Sequence, residues 1–235
     1  VEAGDDIVFA STDGTVWLAE GERVTKLGRT DLEFDAATIV TDGERAAWID
    51  VSDGTPAVVV HQLAPGAKTS YPLDIEPAGD RVAGVRALDG DEVYFTDGDS
   101  EFRWDVDTNR KPLRLGASER LEVNDARDGQ VLFTTFDNQG QLLGTYLSPD
   151  VEEPGEALPN EGGMISPAGG AVMSENSLAS SDDFTLVEVA DGAHAEPVEK
   201  KAYQYFLGYR WLTEDTYLAV GMKQVSRQAI TLDLL

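Results

Sequence analysis

Short stretches of alternating apolar and polar residues recur along the whole chain, each closed off by Gly, Asp, Asn or Pro. The clearest example is LDGDEVYFTDGDSEFRWDVDTNRKPLRLG at residues 88–116, where β-branched and aromatic residues gather at 92–96, 101–106 and 111–115. Asp-Gly and Asp/Asn/Thr turns separate these clusters, so the stretch predicts three short strands joined as hairpins. Upstream, the same pattern predicts strands at 7–10, 16–19 and 23–27, then a fuller set at 34–40, 45–49, 57–63 and 68–73. Downstream, the closing set is expected at 205–212, 217–222 and 230–235. No comparable run of helical periodicity competes with it.

The turns that precede the second strand of each set fall near Gly4, Asp42, Asp89, Asp128, Gly169 and Glu214, in steps of 38, 47, 39, 41 and 45 residues. A repeat near forty residues with four strands per unit is the period of a β-propeller blade. The fold expected is therefore all-β: one domain at 1–235 forming a six-bladed β-propeller of four-stranded antiparallel blades, with repeats at about 1–29, 30–74, 75–117, 118–160, 161–202 and 203–235. The first strand of each blade, near 34–41, 81–88, 121–127, 162–168 and 205–212, is expected to line the axis, and it carries small residues such as Ala36, Ala37, Ala83, Gly84, Ala126, Gly163 and Gly208. Last strands are outer edges, which proteins protect with Pro and Lys; Pro72, Lys111, Pro112, Pro159, Pro197, Lys200 and Lys201 fall there. Third strands align Trp17, His61, Trp104 and Tyr146, a column of rings suited to packing between blades. The terminal blades are expected to be incomplete, the first lacking its inner strand and the last its outer one.

These hairpins resemble the divergent WD40-like or TolB-like propellers found in extracytoplasmic parts of actinobacterial membrane proteins. The closing segment TEDTYLAVGMKQVSRQAITLDLL is similar to the last blade of such domains, although the Trp-Asp pair of the repeat occurs only at Trp104 and Asp105. The resemblance implies a propeller outside the membrane on an anchored parent protein, serving recognition, sensing or scaffolding without catalysis. A fold alone does not supply a function.

Charge narrows the partners. Forty-four acidic side chains against 18 basic ones give a formal charge of −26, spread from end to end. Such a field repels phosphate backbones and anionic lipid heads, which argues against nucleic acid and membrane-surface partners and for a soluble monomer. The low lysine count of six also fits a protein adapted to high salt, so the cytoplasm of a halophile stays open beside the extracytoplasmic expectation. Cysteine is absent, which removes disulfides, thiolate metal sites and a cysteine nucleophile. No apolar run approaches the ~20 residues of a membrane span, and residues 1–6 do not read as a signal peptide.

Little in the chain points to catalysis, and no cofactor or metal is expected. His61 falls in the ring column and His194 in the turn DGAHA, which leaves no imidazole set for zinc. DVDTN at 105–109 imitates the start of an EF-hand loop, but Arg110 stands where Gly is needed and Gly116 where the bidentate Glu belongs. STDGTVW at 11–17 resembles the Asp-box turn of sialidase-type propellers, shortened by one residue between Asp13 and Gly14. A propeller hydrolase of glycosidase type, using axial carboxylates, is the alternative; carboxylates are too numerous for the sequence to nominate a pair.

Candidate binding residues come from the first strands. Alignment on the following turns puts Ile39, Arg86, Asp125, Ser166 and Trp211 in one column, with Thr38, Val85, Asn124, Ile165 and Arg210 beside it. Arg86 and Asp125 would fall on adjacent blades at one height, where a structural ion pair accounts for both charges without a ligand. Tyr209, Arg210 and Trp211, with Tyr205 nearby, form the densest aromatic and basic cluster of an acidic chain. Aromatics beside Arg are typical of recognition hot spots, and core filling is the competing account. The expected surface is the mouth beside Tyr209, Arg210 and Trp211, taking an unidentified protein or small ligand.

Overall fold

A computed structural model describes residues 2–3, 6–30, 39–64, 66–73, 83–108, 110–116, 120–155, 157–158, 162–175, 184–188, 194–197, 205–213, 216–226 and 229–234. All regular structure among them is strand. The chain divides into two compact units, Val1–Ser118 and Glu119–Leu235.

The first unit holds three sheets. Sheet one runs β1 (Glu2–Ala3), β2 (Asp6–Ala10), β3 (Thr15–Glu20) and β4 (Arg23–Arg29); sheet two runs β5 (Val40–Thr41), β6 (Arg45–Asp50), β7 (Ala57–Gln62) and β8 (Lys68–Pro72). Sheet three runs β9 (Gly84–Asp89), β10 (Glu92–Thr96), β11 (Glu101–Asp105) and β12 (Leu113–Arg114). In the second unit, sheet four consists of β13 (Arg120–Arg127), β14 (Gln130–Phe136), β15 (Leu142–Ser148) and β16 (Ala157–Leu158). Sheet five consists of β17 (Met164–Ile165), β18 (Ala171–Glu175), β19 (Phe184–Glu188) and β20 (His194–Pro197). Sheet six has three strands, β21 (Tyr205–Thr213), β22 (Thr216–Ser226) and β23 (Ala229–Leu234). Every described pairing is an antiparallel meander between consecutive strands, so each sheet is one contiguous piece of chain.

The meanders follow from their turns. Arg127 pairs with Gln130 across a two-residue loop in which Asp128 and Gly129 both take positive φ, 54° and 71°. That is the turn whose twist matches its flanking strands, and Asp-Gly is its preferred sequence. A different device occurs twice with the same bonds. Thr41 Oγ1 donates to Arg45 O (2.6 Å) and accepts Gly43 N–H (3.1 Å), while Asp42 Oδ1 accepts the N–H groups of Glu44 and Arg45. Thr96, Asp97, Gly98, Asp99 and Ser100 repeat each of these bonds. The side chains satisfy backbone groups that the tight turn strands, and Gly supplies the positive φ.

Sheet two is covered on both faces, which explains its near-continuous apolar runs AAWI and AVVV. Ala46, Trp48 and Val59 face sheet one, packing on Val8, Val16 and Leu18. Ala47, Ile49, Val58 and Val60 face sheet three, packing on Val85, Val93, Phe95 and Trp104. The Tyr71 and Trp104 rings meet across the same boundary at 5.7 Å. On the other side of sheet one, Ile7, Phe9 and Val24 are 48%, 38% and 56% exposed.

Two expectations change. The first sheet does not lack its first strand, because Glu2 and Ala3 pair with Ile7 and Asp6; a strand of two residues leaves no periodicity to read. The first strands expected at 34–41 and 162–168 are shorter, two residues each at β5 and β17; residues 31–38 lie outside the described residues. Sheet six ends without a fourth strand among the described residues, as the pattern led one to expect.

Candidate functional site

The first strands of sheets three, four and six share a distortion. In β9, Val85 pairs with Phe95 and Ala87 with Tyr94, so Arg86 is an extra, bulged residue. In β13, Val123 pairs with Phe133 and Asp125 with Leu132, leaving Asn124 bulged. In β21, Gly208 pairs with Ala219 and Arg210 with Leu218, leaving Tyr209 bulged. Each bulge lies opposite the same point, between the third and fourth residues of the second strand. Bulges re-aim a side chain and recur next to functional sites.

This register corrects the sequence alignment by one place. Arg86, Asn124 and Tyr209 form the bulged column, and Asp125 and Arg210 fall in the next one, with Ala87. Asp89 is still paired with Glu92 whereas Asp128 lies in the loop, so aligning the two Asp-Gly pairs set Arg86 one place away from its true counterpart.

Arg86 Nε lies 3.3 Å from Oε1 of Glu101, a buried carboxylate on the same sheet. That pairing covers a charge that would otherwise be costly to bury. Asp125 Oδ1 accepts Ala126 N–H, and its Oδ2 accepts Ile165 N–H, both at 2.9 Å. Arg86 belongs to the first unit and Asp125 to the second. Trp211 is half-buried, and its indole N–H donates to Met164 O at 3.0 Å. Tyr209 and Arg210 are described through their backbone in β21, and Tyr205 opens the same strand.

Asp125 and Trp211 thus meet on β17, a strand with only two paired residues. One reaches it from sheet four and takes Ile165 N–H; the other reaches it from sheet six and gives to Met164 O. Beneath them runs a buried hydroxyl relay that the sequence did not reveal. Thr134 Oγ1 donates to Asn124 Oδ1 at 2.8 Å and lies 3.1 Å from Thr145 Oγ1, which accepts Gly162 N–H at 3.1 Å. Thr134 and Thr145 are each 1% exposed. Polar residues at the centre of apolar strands were the available signal, since buried hydroxyls need partners. Met164, 37% exposed beside Trp211, was also missed.

In the first unit, burial opposes ionisation of Asp50, yet bonds from Ser52 and Lys68 hold its carboxyl below the usual range. Bonds from the Ser11 hydroxyl and Thr15 bring Asp13 down to about 2. Those Asp13 bonds, with Trp17 Nε1–H donating to Ser11 Oγ at 3.1 Å, make 11–17 a self-bonded turn like the Asp-box it resembles. Among the described residues no group of three or more His, Cys, Asp or Glu could hold a metal ion. No helix among them is long and apolar enough to cross a membrane.

No family model matches the chain, and no curated protein matches it. It is similar to the crystal structure of TolB from Acinetobacter baumannii, with 14% identity over 92% of this chain and a TM-score of 0.54. The chain spans 59% of that TolB chain. Weaker likenesses include the tricorn protease, 14% identical over 97% of this chain and 27% of the other at a TM-score of 0.45, and the Cps50 (Swd1) β-propeller domain of Myceliophteria thermophila, 13% identical over 93% and 76% at 0.40. The TolB likeness and the four-stranded antiparallel sheets establish the fold as a β-propeller type.

Proposed function

We propose that this chain is a noncatalytic propeller of six blades that recognises a protein partner, and that it is the extracytoplasmic part of a membrane-anchored parent. The observation that carries the recognition reading is the pair Met164 and Trp211. The indole N–H is already satisfied by Met164 O, so the half-buried ring is held in place while the Met164 side chain stays exposed beside it. A fixed aromatic with an adaptable thioether is well suited to a recognition surface. Tyr209 and Arg210 precede Trp211 on the same strand, and the surface takes a protein in preference to a small ligand. Six successive meanders support the blade count, and the extracytoplasmic placement rests on the resemblance of the repeats.

A hydrolase would need a carboxyl held protonated near neutrality to act as general acid. Asp13 and Asp50 are displaced the opposite way. These two carboxyls are therefore not the general acid of a glycosidase.

Site-specific photo-crosslinking tests the reading. A photoreactive residue at position 164 or 211, in cells that make the full-length parent, is expected to trap one discrete protein that the same residue at Gly21 does not. Equal trapping at all three positions, or none, overturns it. Labelling of intact cells with a membrane-impermeant lysine reagent checks the placement, and protection of the chain until lysis would refute it.

A further inference from the structure

Arg86 is the one exposed residue of β9. Gly84, Val85, Ala87 and Leu88 on either side of it are buried, and the bulge turns the Arg86 side chain, 41% exposed, out of that buried strand. Its Nε lies 3.3 Å from Glu101 Oε1, at the long limit of a hydrogen bond, and Glu101 is 3% exposed on β11. Of the five N–H donors of a guanidinium, this contact engages one; the Nη N–H groups have no acceptor among the described residues. Arg45 shows what an ion pair of purely structural use looks like in the same unit. Its side chain is 12% exposed, and it engages both ends, Nε with Asp42 Oδ2 at 3.1 Å and Nη1 with Asp91 Oδ1 at 2.8 Å. Arg86 is held at one end only, by a carboxylate that is itself buried.

We infer that Arg86 is a carboxylate-binding site of the first unit, in which Glu101 holds Nε and the Nη edge receives the ligand. The planar fork of Arg matches the two oxygens of a carboxylate. Fixing the guanidinium beforehand lowers the ordering cost of binding, and the bulge with its buried Glu101 supplies that fixing. Charge selects a carboxylate over a phosphate. The chain carries −26 overall, and the repulsion it exerts grows with the charge of the anion. Glu101 already offsets part of the Arg86 charge, so a monoanion is balanced where a dianion is not. The carboxylate that ends a peptide chain and that of a small organic acid offer the same two oxygens, and their relative affinities separate them.

Nuclear magnetic resonance of the Arg86 Nε–H group, assigned through its own backbone amide, reads the site directly. The probes are acetyl-trialanine with a free terminal carboxylate, the same peptide as its amide, acetate, and inorganic phosphate. The free-acid peptide is expected to shift the Arg86 signal and the amide to leave it in place. Saturation by the peptide at a lower concentration than acetate assigns the ligand to a chain terminus; saturation by acetate at an equal or lower concentration assigns it to small carboxylates. Arg86→Lys keeps the charge opposite Glu101 but loses the fork, and it should weaken the free-acid peptide by about tenfold or more, followed at the Ala87 and Leu88 amides. Arg103→Lys, on the same sheet with its guanidinium 3.4 Å from Glu92, should leave the affinity unchanged. An Arg86 signal that moves with no probe, that moves equally with the amide, or that saturates with phosphate before any carboxylate overturns the inference. So does a folded Arg86→Lys variant that binds as tightly as the parent; if that variant does not fold, titration of the parent decides alone. This inference goes beyond the surface at Met164 and Trp211: crosslinks report that surface, the Arg86 signal reports this site, and either can fail alone.

Discussion

Asp125 Oδ2 accepts the backbone N–H of Ile165 at 2.9 Å, a bond that crosses from sheet four to sheet five. The residue looked like half of an ion pair or a ligand contact in the sequence. Its Oδ1 also accepts Ala126 N–H at 2.9 Å, and the strand that it holds has only two ladder pairs of its own.

Replacing that carboxylate should therefore loosen β17 before anything else. Asp125→Ala leaves the Ile165 N–H without its acceptor and is expected to cost about 1–3 kcal/mol. Asp125→Asn keeps an acceptor oxygen and should cost less. Urea unfolding measures the loss, and hydrogen exchange at Ile165 locates it; an unchanged Ile165 rate would show that the bond does not hold the strand.

Gly28 supports a second prediction, at the boundary of sheets one and two. A Cβ there would collide with Asp50 Oδ2 and come within 3.1 Å of Trp48 Cζ2. That carboxylate cannot simply move aside, because Asp50 accepts from Lys68 Nζ at 2.9 Å and Trp48 Nε1 at 3.3 Å through Oδ2, and from Ser52 N–H at 2.7 Å through Oδ1. Trp48 is fully buried. Gly28→Ala is thus an overpacking change, expected to destabilise by about 1–3 kcal/mol and to alter the near-UV circular dichroism of Trp48. A variant as stable as the parent would mean that the two sheets separate more easily than their packing implies.

The strands that could be read from the chain are those whose signal is local. β6, β7, β10 and β14 announce themselves by apolar runs between turn residues, and Asp128-Gly129 sits in the turn that its residues prefer. What could not be read depends on distant partners. β1 is two residues long and exists only because Glu2 and Ala3 find Ile7 and Asp6. Asp89 pairs with Glu92 inside the ladder while Asp128 lies in the loop, and β21 has a second irregularity between Trp211 and Thr213, so matching the turns by residue type displaced Arg86 and Trp211 from the column shared by Ala87, Asp125 and Arg210. Nor does an identical TDG sequence mark an identical place. Thr41-Asp42-Gly43 joins first and second strands, whereas Thr96-Asp97-Gly98 joins second and third. His61 was expected among packed rings and does lie half-buried, 6.4 Å from Trp48. Trp211 stood out by composition; its hydrogen bond to Met164 O did not, because that contact spans 47 residues.

Two groups in the first unit make stability fall with pH in separate windows. Burial, and then the charge of Lys68 opposite it in register, hold the His61 pKa below 6.5; the group faces the Trp48 ring, and its buried Nδ1 has no hydrogen-bond partner among the described residues. A depressed histidine is neutral in the fold while the unfolded chain takes up a proton, so the contribution is complete above 6.5 and lost as pH falls below that value. Asp13 acts lower down. Its folded pKa of about 2 lies under the model-peptide 3.8, so its contribution is present above 3.8 and lost as pH falls toward 2. His61→Phe, which keeps a ring beside Trp48 and removes the titration, should flatten the slope just below pH 6.5 and leave the acid limb unchanged. Asp13→Asn should do the reverse. Urea unfolding of the parent and both variants between pH 7 and 2 measures the differences, in which the many other carboxylates cancel. Parallel curves for His61→Phe and the parent across the upper window would show that His61 carries no proton-linked stability.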